Sequence, residues 1–264
     1  MGMRLQIAGV RLGYEQDGSG PPLVLVHAFP LNRAMWGPQV AALRDLFTVI
    51  TPDLRGFGES DVPSDPLTID DYALDIIRLL DALGHRRVAL AGCSMGGYVA
   101  FRIVARAADR VRALLIAASR AEPDTEEGRQ RRRAAIARIE REGASGFIDE
   151  FAANLVGPTT KAQRPGVMAA VRQIIGTPHP RSLTTALAAM AERPDSRPML
   201  PSLAIPALVV VGEEDALTPP ASSEAMAQAL PQARLVKIPS AGHLANLEAP
   251  EAFNRAAREF LSSL

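Results

Sequence analysis

Short continuous apolar runs recur along the chain at 22–29 (PLVLVHAF), 47–53 (FTVITPD), 87–94 (RVALAGCS), 111–119 (VRALLIAAS), 207–215 (ALVVVGEED) and 233–240 (ARLVKIPS), and each predicts a buried strand. Residues 3–16 alternate more weakly and carry Gly9 and Gly13, the pattern of an edge hairpin. Between the runs the period changes. Over 68–84, Ile69, Tyr72, Ala73, Ile76, Ile77, Leu80 and Leu83 fall on one helical face, Thr68 and Asp71 stand at capping-box spacing, and Gly84 occupies the place of a C′ glycine. Further helices are predicted from Met95, near 221–230 and from Pro250. This order specifies an α/β fold, a mostly parallel sheet with helices on both faces, whose ligands bind at the carboxyl ends of the strands.

The alternation breaks between residues 121 and 199. EPDTEEGRQRRRAAIARIEREG reads as a charged helix, and apolar-faced segments follow at 146–156, 166–175 and 181–192, each bounded by Gly or Pro and none with a strand signal. A structureless loop of that length is rare in a compact domain. The segment therefore reads as a helical lid, residues 121–199, inserted into a core made of 1–120 and 200–264.

Composition narrows the function classes. The 264 residues suffice for such a core with an insertion, and 47% hydrophobic with 22% charged residues is the balance of a folded domain. Twenty-nine basic side chains balance 29 acidic ones, so no global field draws the chain to nucleic acid or to an anionic membrane. The single cysteine, Cys93, rules out an internal disulfide and a cysteine-based zinc site. No His/Glu cluster has metal spacing, and the expected list of metals and cofactors is empty. The N-terminal stretch has no apolar h-region and no run approaches a membrane span, so a cytoplasmic setting is the expectation.

The chemistry concentrates at GCSMGG, residues 92–97, where G-x-S-x-G lies between the strand VALAG and a helix. In that context Ser94 is the candidate nucleophile, exposed on a tight turn beside the free N–H groups of a helix start. A serine hydroxyl needs a base to take its proton. His243, in the loop after the last strand, is the candidate; His85 beside Arg86 and Arg87 reads as solvated surface. Asp215, on the loop after ALVVVG, is the candidate acid, with Glu213 and Glu214 as rivals. Acyl transfer also needs donors aimed at the developing oxyanion, and the backbone N–H groups of Phe29 and Met95 are the candidates, since Pro30 has none. His27, Trp36, Phe57 and His179 are candidates for the substrate pocket. Each has a plainer reading: His27 orients the loop after its strand, Trp36 packs the first helix, Phe57 belongs to a structural turn, and His179 sits in a turn between two prolines.

The successive stretches VLVHAFP, DLRGFGESD, GCSMGGYVAF, VVVGEEDALTPP and IPSAGHLANLEAPEAF resemble the landmarks of the α/β-hydrolase superfamily, in order, over 22–119 and 200–264. Within it the sequence is most similar to small carboxylesterases and 3-oxoadipate enol-lactonases, although Ala28 stands where such relatives usually carry glycine after the histidine. The resemblance implies a cofactor-independent serine hydrolase that cleaves a small carboxylic ester or lactone through an acyl-enzyme, with Ser94, Asp215 and His243 as nucleophile, acid and base. Four alternatives remain: enol-lactonase-type lactone hydrolysis, C–C bond hydrolysis, perhydrolase or non-haem haloperoxidase chemistry, and a small-molecule receptor on the same fold. An enol-lactonase handling a charged ring acid needs a cation near the substrate carboxylate, and Arg164, Arg172, Arg181 and Arg193 of the lid are the candidates.

Overall fold

Each apolar run becomes a strand in the computed structural model, which describes residues 2–264. The strands are β1 (Met3–Ile7), β2 (Val10–Asp17), β3 (Pro22–Val26), β4 (Thr48–Pro52), β5 (Val88–Cys93), β6 (Val111–Ala117), β7 (Ala207–Gly212) and β8 (Ala233–Ile238). They form one sheet in the order β1-β2-β4-β3-β5-β6-β7-β8. The hairpin β1–β2 pairs antiparallel and β2 joins β4 antiparallel, while every pair from β4 to β8 is parallel. The parallel strands inside the sheet are covered on both faces, which is why their sequences are continuous apolar runs rather than alternating ones, while the edge strand β8 exposes Arg234 and Lys237.

The period of two assigns the faces. In β5, Val88 and Leu90 enter the hydrophobic cluster on one side of the sheet, and Ala89, Ala91 and Cys93 enter the other. Helices α1 (Gly37–Leu43), α10 (Ala245–Glu248) and α11 (Pro250–Ser262) cover the second side, and α2 (Ile69–Ala82), α3 (Met95–Arg106) and α9 (Pro220–Ala229) the first. The capping box at α2 forms: Thr68 Oγ1 accepts from Asp71 N–H at 3.2 Å and Asp71 Oδ2 accepts from Thr68 N–H at 2.8 Å. Gly84, with φ of 75°, follows the helix end.

Between β6 and β7 the chain is helical: α4 (Glu126–Glu142), α5 (Ser145–Asn154), α6 (Pro158–Gln163), α7 (Pro165–Ile175) and α8 (Pro180–Ala191). Four of the five match the periodic segments of the sequence; α6 does not, because six residues reading PTTKAQ carry no hydrophobic period. A buried ion pair ties the two ends of this helical segment together, and a guanidinium–aromatic stack joins it to α3. Arg193 Nη1 lies 2.5 Å from Asp124 Oδ1, Arg132 Nε lies 2.5 Å from Asp124 Oδ2, and the Arg193 guanidinium stacks 4.2 Å from the Tyr98 ring centroid. The other arginines of the RQRRR run pair with Glu126 and Glu127 on the exposed face of α4. Among the described residues no helix is long and apolar enough to cross a membrane.

Candidate active site

Three strand ends bring three distant side chains together. Ser94 follows β5 at φ 52° and ψ −115°, a left-handed conformation that costs a non-glycine residue of order 1–3 kcal/mol and persists where the surroundings enforce it. The surroundings here are glycines: a Cβ on Gly92 would strike Gly96 O, and one on Gly96 would strike Val26 O. Only the absence of side chains lets β5, α3 and β3 approach this closely. Ser119, at the end of β6, donates its hydroxyl to Ser94 O at 2.9 Å and steadies the turn from below.

His243 and Asp215 come from the loops after β8 and β7. Ser94 Oγ is 2.8 Å from His243 Nε2, and His243 Nδ1 is 2.9 Å from Asp215 Oδ2. Both partners are buried, and Ser94 is half-exposed. Asp215 receives two further N–H bonds on Oδ1, from Leu217 and Thr218 at 2.9 Å each, and the Thr218 hydroxyl on Oδ2 at 2.6 Å. Burial pushes the Asp215 carboxyl up, but the facing His243 imidazole and these hydrogen bonds outweigh it and hold the group below the ordinary carboxylate range. An ionised carboxylate fixes the Nδ1–H tautomer and leaves Nε2 free to accept from the serine.

The rivals of Asp215 lie elsewhere. Glu213 is exposed, and Glu214 turns away to accept from Thr159 N–H at 2.9 Å and from the Thr159 hydroxyl. Neither faces His243.

The loop after β3 stands beside Ser94. Among the described residues, neither Phe29 N–H nor Met95 N–H donates to another group of the protein. Met95 is the first residue of α3, so its free N–H is the ordinary orphan of a helix start, backed by the positive end of the dipole. The loop bearing Phe29 is anchored by Arg33, whose N–H meets Asp53 Oδ1 at 2.8 Å and whose guanidinium pairs with the same carboxylate. No non-glycine positive φ falls on Ala28, which is consistent with an alanine at that position.

Of the pocket candidates, Trp36 is corrected. It is 0% exposed and packs 6.2 Å from Phe253 of α11, within the hydrophobic cluster on the second side of the sheet. His27 is likewise sealed at 0% exposure: Nε2 accepts from Leu54 N–H at 2.9 Å and Nδ1 faces Ala28 O at 3.0 Å. Burial lowers its pKa, so the neutral ring braces two loops and does not meet a ligand. His179 caps α8 by accepting from Arg181 N–H at 3.1 Å; it is exposed at a cleft of about 410 Å³ shared with Leu31, Phe57, Val62 and Ile174, whose lining does not include Ser94. Phe57 is buried but belongs to an aromatic group beside the site, 6.0 Å from Phe29, which in turn meets Phe147 at 6.3 Å and Phe151 at 5.4 Å. Phe147 and Phe151 stack on α5 at i, i+4. Their helical spacing was legible in the sequence, but nothing there tied it to Phe29.

The insertion's arginines are all engaged. Arg164 donates to Ser240 O and Glu248 O, Arg172 pairs with Asp149, Arg181 reaches Ser64 O, and Arg193 is buried against Asp124.

Strand order, the turn at Ser94 and the convergence of the β5, β7 and β8 loops define an α/β hydrolase. The chain belongs to the alpha/beta hydrolase fold family, whose model matches residues 21–250. It is similar to 3-oxoadipate enol-lactonase 1 of Acinetobacter baylyi, at 29% identity over 93% of this chain and 90% of that protein. Among solved structures it is similar to a thermophilic esterase from Thermogutta terrifontis, at TM-score 0.95 and 41% identity covering 100% of this chain and 98% of the other. It is also similar to the enol-lactonase of Burkholderia xenovorans LB400, at TM-score 0.91 and 30% identity covering 98% and 100%.

Proposed function

We propose that the chain is a cofactor-independent serine hydrolase that cleaves small, uncharged carboxylic esters or lactones through an acyl-enzyme. The observation that carries this reading is the continuous file Ser94 Oγ, His243 Nε2, His243 Nδ1, Asp215 Oδ2, with spacings of 2.8 and 2.9 Å at the two junctions. Ser94 attacks the carbonyl carbon as its proton passes to His243. Asp215 holds the ring and stabilises the imidazolium that forms. The tetrahedral oxyanion takes the free N–H groups of Phe29 and Met95, fixed donors that need no reorganisation as charge develops. His243 then returns the proton to the departing alcohol, and water clears the acyl group by the same route.

The helices at 121–199 act as a lid in this reading. Its aromatic pair Phe147 and Phe151 meets Phe29, so the acyl or alcohol group would rest against an apolar wall beside the oxyanion donors. Both the Acinetobacter baylyi and the Burkholderia xenovorans relatives are enol-lactonases by name. Substrates bearing a carboxylate are disfavoured here because each insertion arginine offered as its receiver already serves a protein group. The test is labelling with a fluorophosphonate followed by peptide mapping, together with turnover of a short-chain ester panel. Phosphonylation at Ser94 is expected; modification at another serine, or none with active protein, defeats the reading.

A further inference from the structure

The helix that the sequence did not reveal, α6, sits between the two loops that bear Asp215 and His243. Two carboxylates reach its start. Glu248, 3% exposed, accepts from Gly157 N–H at 2.8 Å through Oε2, and from Gly242 N–H at 2.9 Å and Leu244 N–H at 3.1 Å through Oε1. Those last two donors flank His243 on either side. Glu214, one residue before Asp215, accepts from Thr159 N–H and the Thr159 hydroxyl. Gly157 and Thr159 are the N-cap and second residue of α6, so both carboxylates satisfy N–H groups that a helix start leaves free.

The far end of α6 returns to the same loop. Arg164 donates to Ser240 O at 2.9 Å and to Glu248 O, one bond on each side of the histidine segment. Leu244 N–H also approaches Leu155 O at 3.1 Å, and Glu214 N–H bonds Ala241 O at 2.8 Å, joining the acid loop to the histidine loop directly. The backbones touch: a Cβ on Gly242 would strike Gly157 N, and one on Gly157 would strike Glu214.

We infer that segment 155–164 is a bracket that positions the triad, and that Glu248 is a positioning residue for His243. The inference rests on the reading of Ser94, His243 and Asp215 as a hydrolytic triad. A buried carboxylate with three backbone donors and, among the described residues, no paired cation is costly to hold unless every bond is made, so it fixes one geometry of the loop. Its two oxygens divide the work. One holds the histidine loop and the other ties that loop to the insertion, so the insertion and the triad move as one body.

The discriminating variant is Glu248→Gln. Whichever way the amide turns, its NH₂ faces an N–H where an oxygen stood, and one side of the bracket opens. We expect kcat on a small ester to fall about 10- to 100-fold, the scale of a misplacement near 1 Å, with KM changed less than about twofold. Phosphonylation of Ser94 slows in parallel. In ¹⁵N-histidine-labelled protein, the hydrogen-bonded Nδ1 proton of His243 is expected as a discrete resonance that broadens or vanishes in the variant. Asp124→Asn, which weakens the ion pair that closes the helical segment on itself without touching these loops, should leave both readouts unchanged below its melting range. Should Glu248→Gln not fold, Arg164→Gln is expected to lower kcat in the same direction by a smaller factor. Wild-type kcat and an unchanged imidazole resonance in the folded variant, or a change in KM alone, would overturn the inference. If instead wild-type Ser94 takes no phosphonyl group while the resonance still responds to Glu248→Gln, the bracket stands and the hydrolytic reading fails.

Discussion

Thr218 donates its hydroxyl to Asp215 Oδ2 at 2.6 Å, the same oxygen that faces His243 Nδ1 at 2.9 Å. Thr218 Oγ1 also lies 3.2 Å from that ring nitrogen. The carboxylate, the hydroxyl and the imidazole thus form a closed buried triangle, and the hydroxyl helps to keep Asp215 ionised in spite of its burial.

Replacing Thr218 by valine keeps the shape and removes the hydroxyl. A hydrogen bond to a charged group contributes about 1.5–3 kcal/mol, and a loss of that size is expected at neutral pH. The sign of the pH dependence follows from linkage. Asp215 is depressed in the folded state, so its stabilisation is present above the unfolded carboxylate value of about 3.9 and is lost as pH falls through the lower folded value. The variant's melting temperature should therefore lag the wild type most near pH 7, and the gap should narrow below about pH 4. A gap of constant size from pH 7 to 3 would assign the loss to packing instead. Thr218→Ser should behave as wild type.

The three acidic residues after β7 are separable by amide substitution. Asp215→Asn favours the wrong imidazole tautomer and is expected to lower kcat roughly 10⁴-fold, the size seen when the buried triad carboxylate of a serine protease is replaced by an amide. Glu213→Gln, at an exposed position, should change kcat less than about twofold; Glu214→Gln loosens only the Thr159 attachment and should cost less than about tenfold. A crippled Glu214→Gln beside a mild Asp215→Asn would reverse the assignment.

Much of this architecture was legible in the chain. Strands buried on both faces write themselves as apolar runs, and the turn at Ser94 announces itself because the close approach of Gly92 and Gly96 tolerates no side chain. Asp215 was separable from Glu213 and Glu214 only by spacing, and its direction became plain through Thr218 and His243. What was illegible has physical reasons. Trp36 carries no sequence mark distinguishing a pocket wall from a helix anchor, and its partner Phe253 is more than 200 residues away. Helix α6 is too short to show a period, and Glu248 reads as an ordinary polar residue before a helix until its three N–H donors, Gly157 from far along the chain and Gly242 and Leu244 on either side of His243, are known.

Asp124 ties the start of the helical segment between β6 and β7 to its end through Arg193 and to α4 through Arg132, and the Arg193 guanidinium rests on Tyr98 of α3. Removing one partner of a buried pair strands the other charge, and Asp124→Asn is expected to destabilise the protein by about 3–5 kcal/mol in urea unfolding. Burial pushes the Asp124 carboxyl up, but the Arg132 hydrogen bond and the two guanidinium charges bring it below its ordinary value. Its contribution is thus present above the unfolded carboxylate value and lost as pH falls through the lower folded one, so the variant's deficit should shrink in acid. A loss under about 1 kcal/mol would mean that the pair is solvated in solution, in the manner of a surface bridge.

Substrate charge is the sharpest remaining discriminator. A carboxylate-bearing enol-lactone needs a cation, and a charge-assisted or bidentate arginine contact supplies binding energy that a neutral ester does not use. Arg193 is committed to Asp124 and to backbone carbonyls, Arg172 to Asp149, Arg181 to Ser64 O, and Arg164 to Ser240 O and Glu248 O. Releasing any of them to a ligand would break bonds that already satisfy it. The aromatic wall of Phe29, Phe147 and Phe151 instead suits apolar groups, and such a pocket ranks substrates by only about 1–3 kcal/mol per methylene. Broad turnover of short neutral esters is therefore expected, with kcat/KM for an enol-lactone carboxylate no higher. Arg172→Gln and Arg181→Gln should leave the ratio between the two substrates within about threefold, while Arg164→Gln should lower kcat for both alike through the histidine loop. A preference for the enol-lactone of about 100-fold or more, with one arginine accounting for roughly 2–3 kcal/mol of it, would show that a guanidinium leaves its protein partner for the substrate and would replace the neutral-ester reading with a lactonase one.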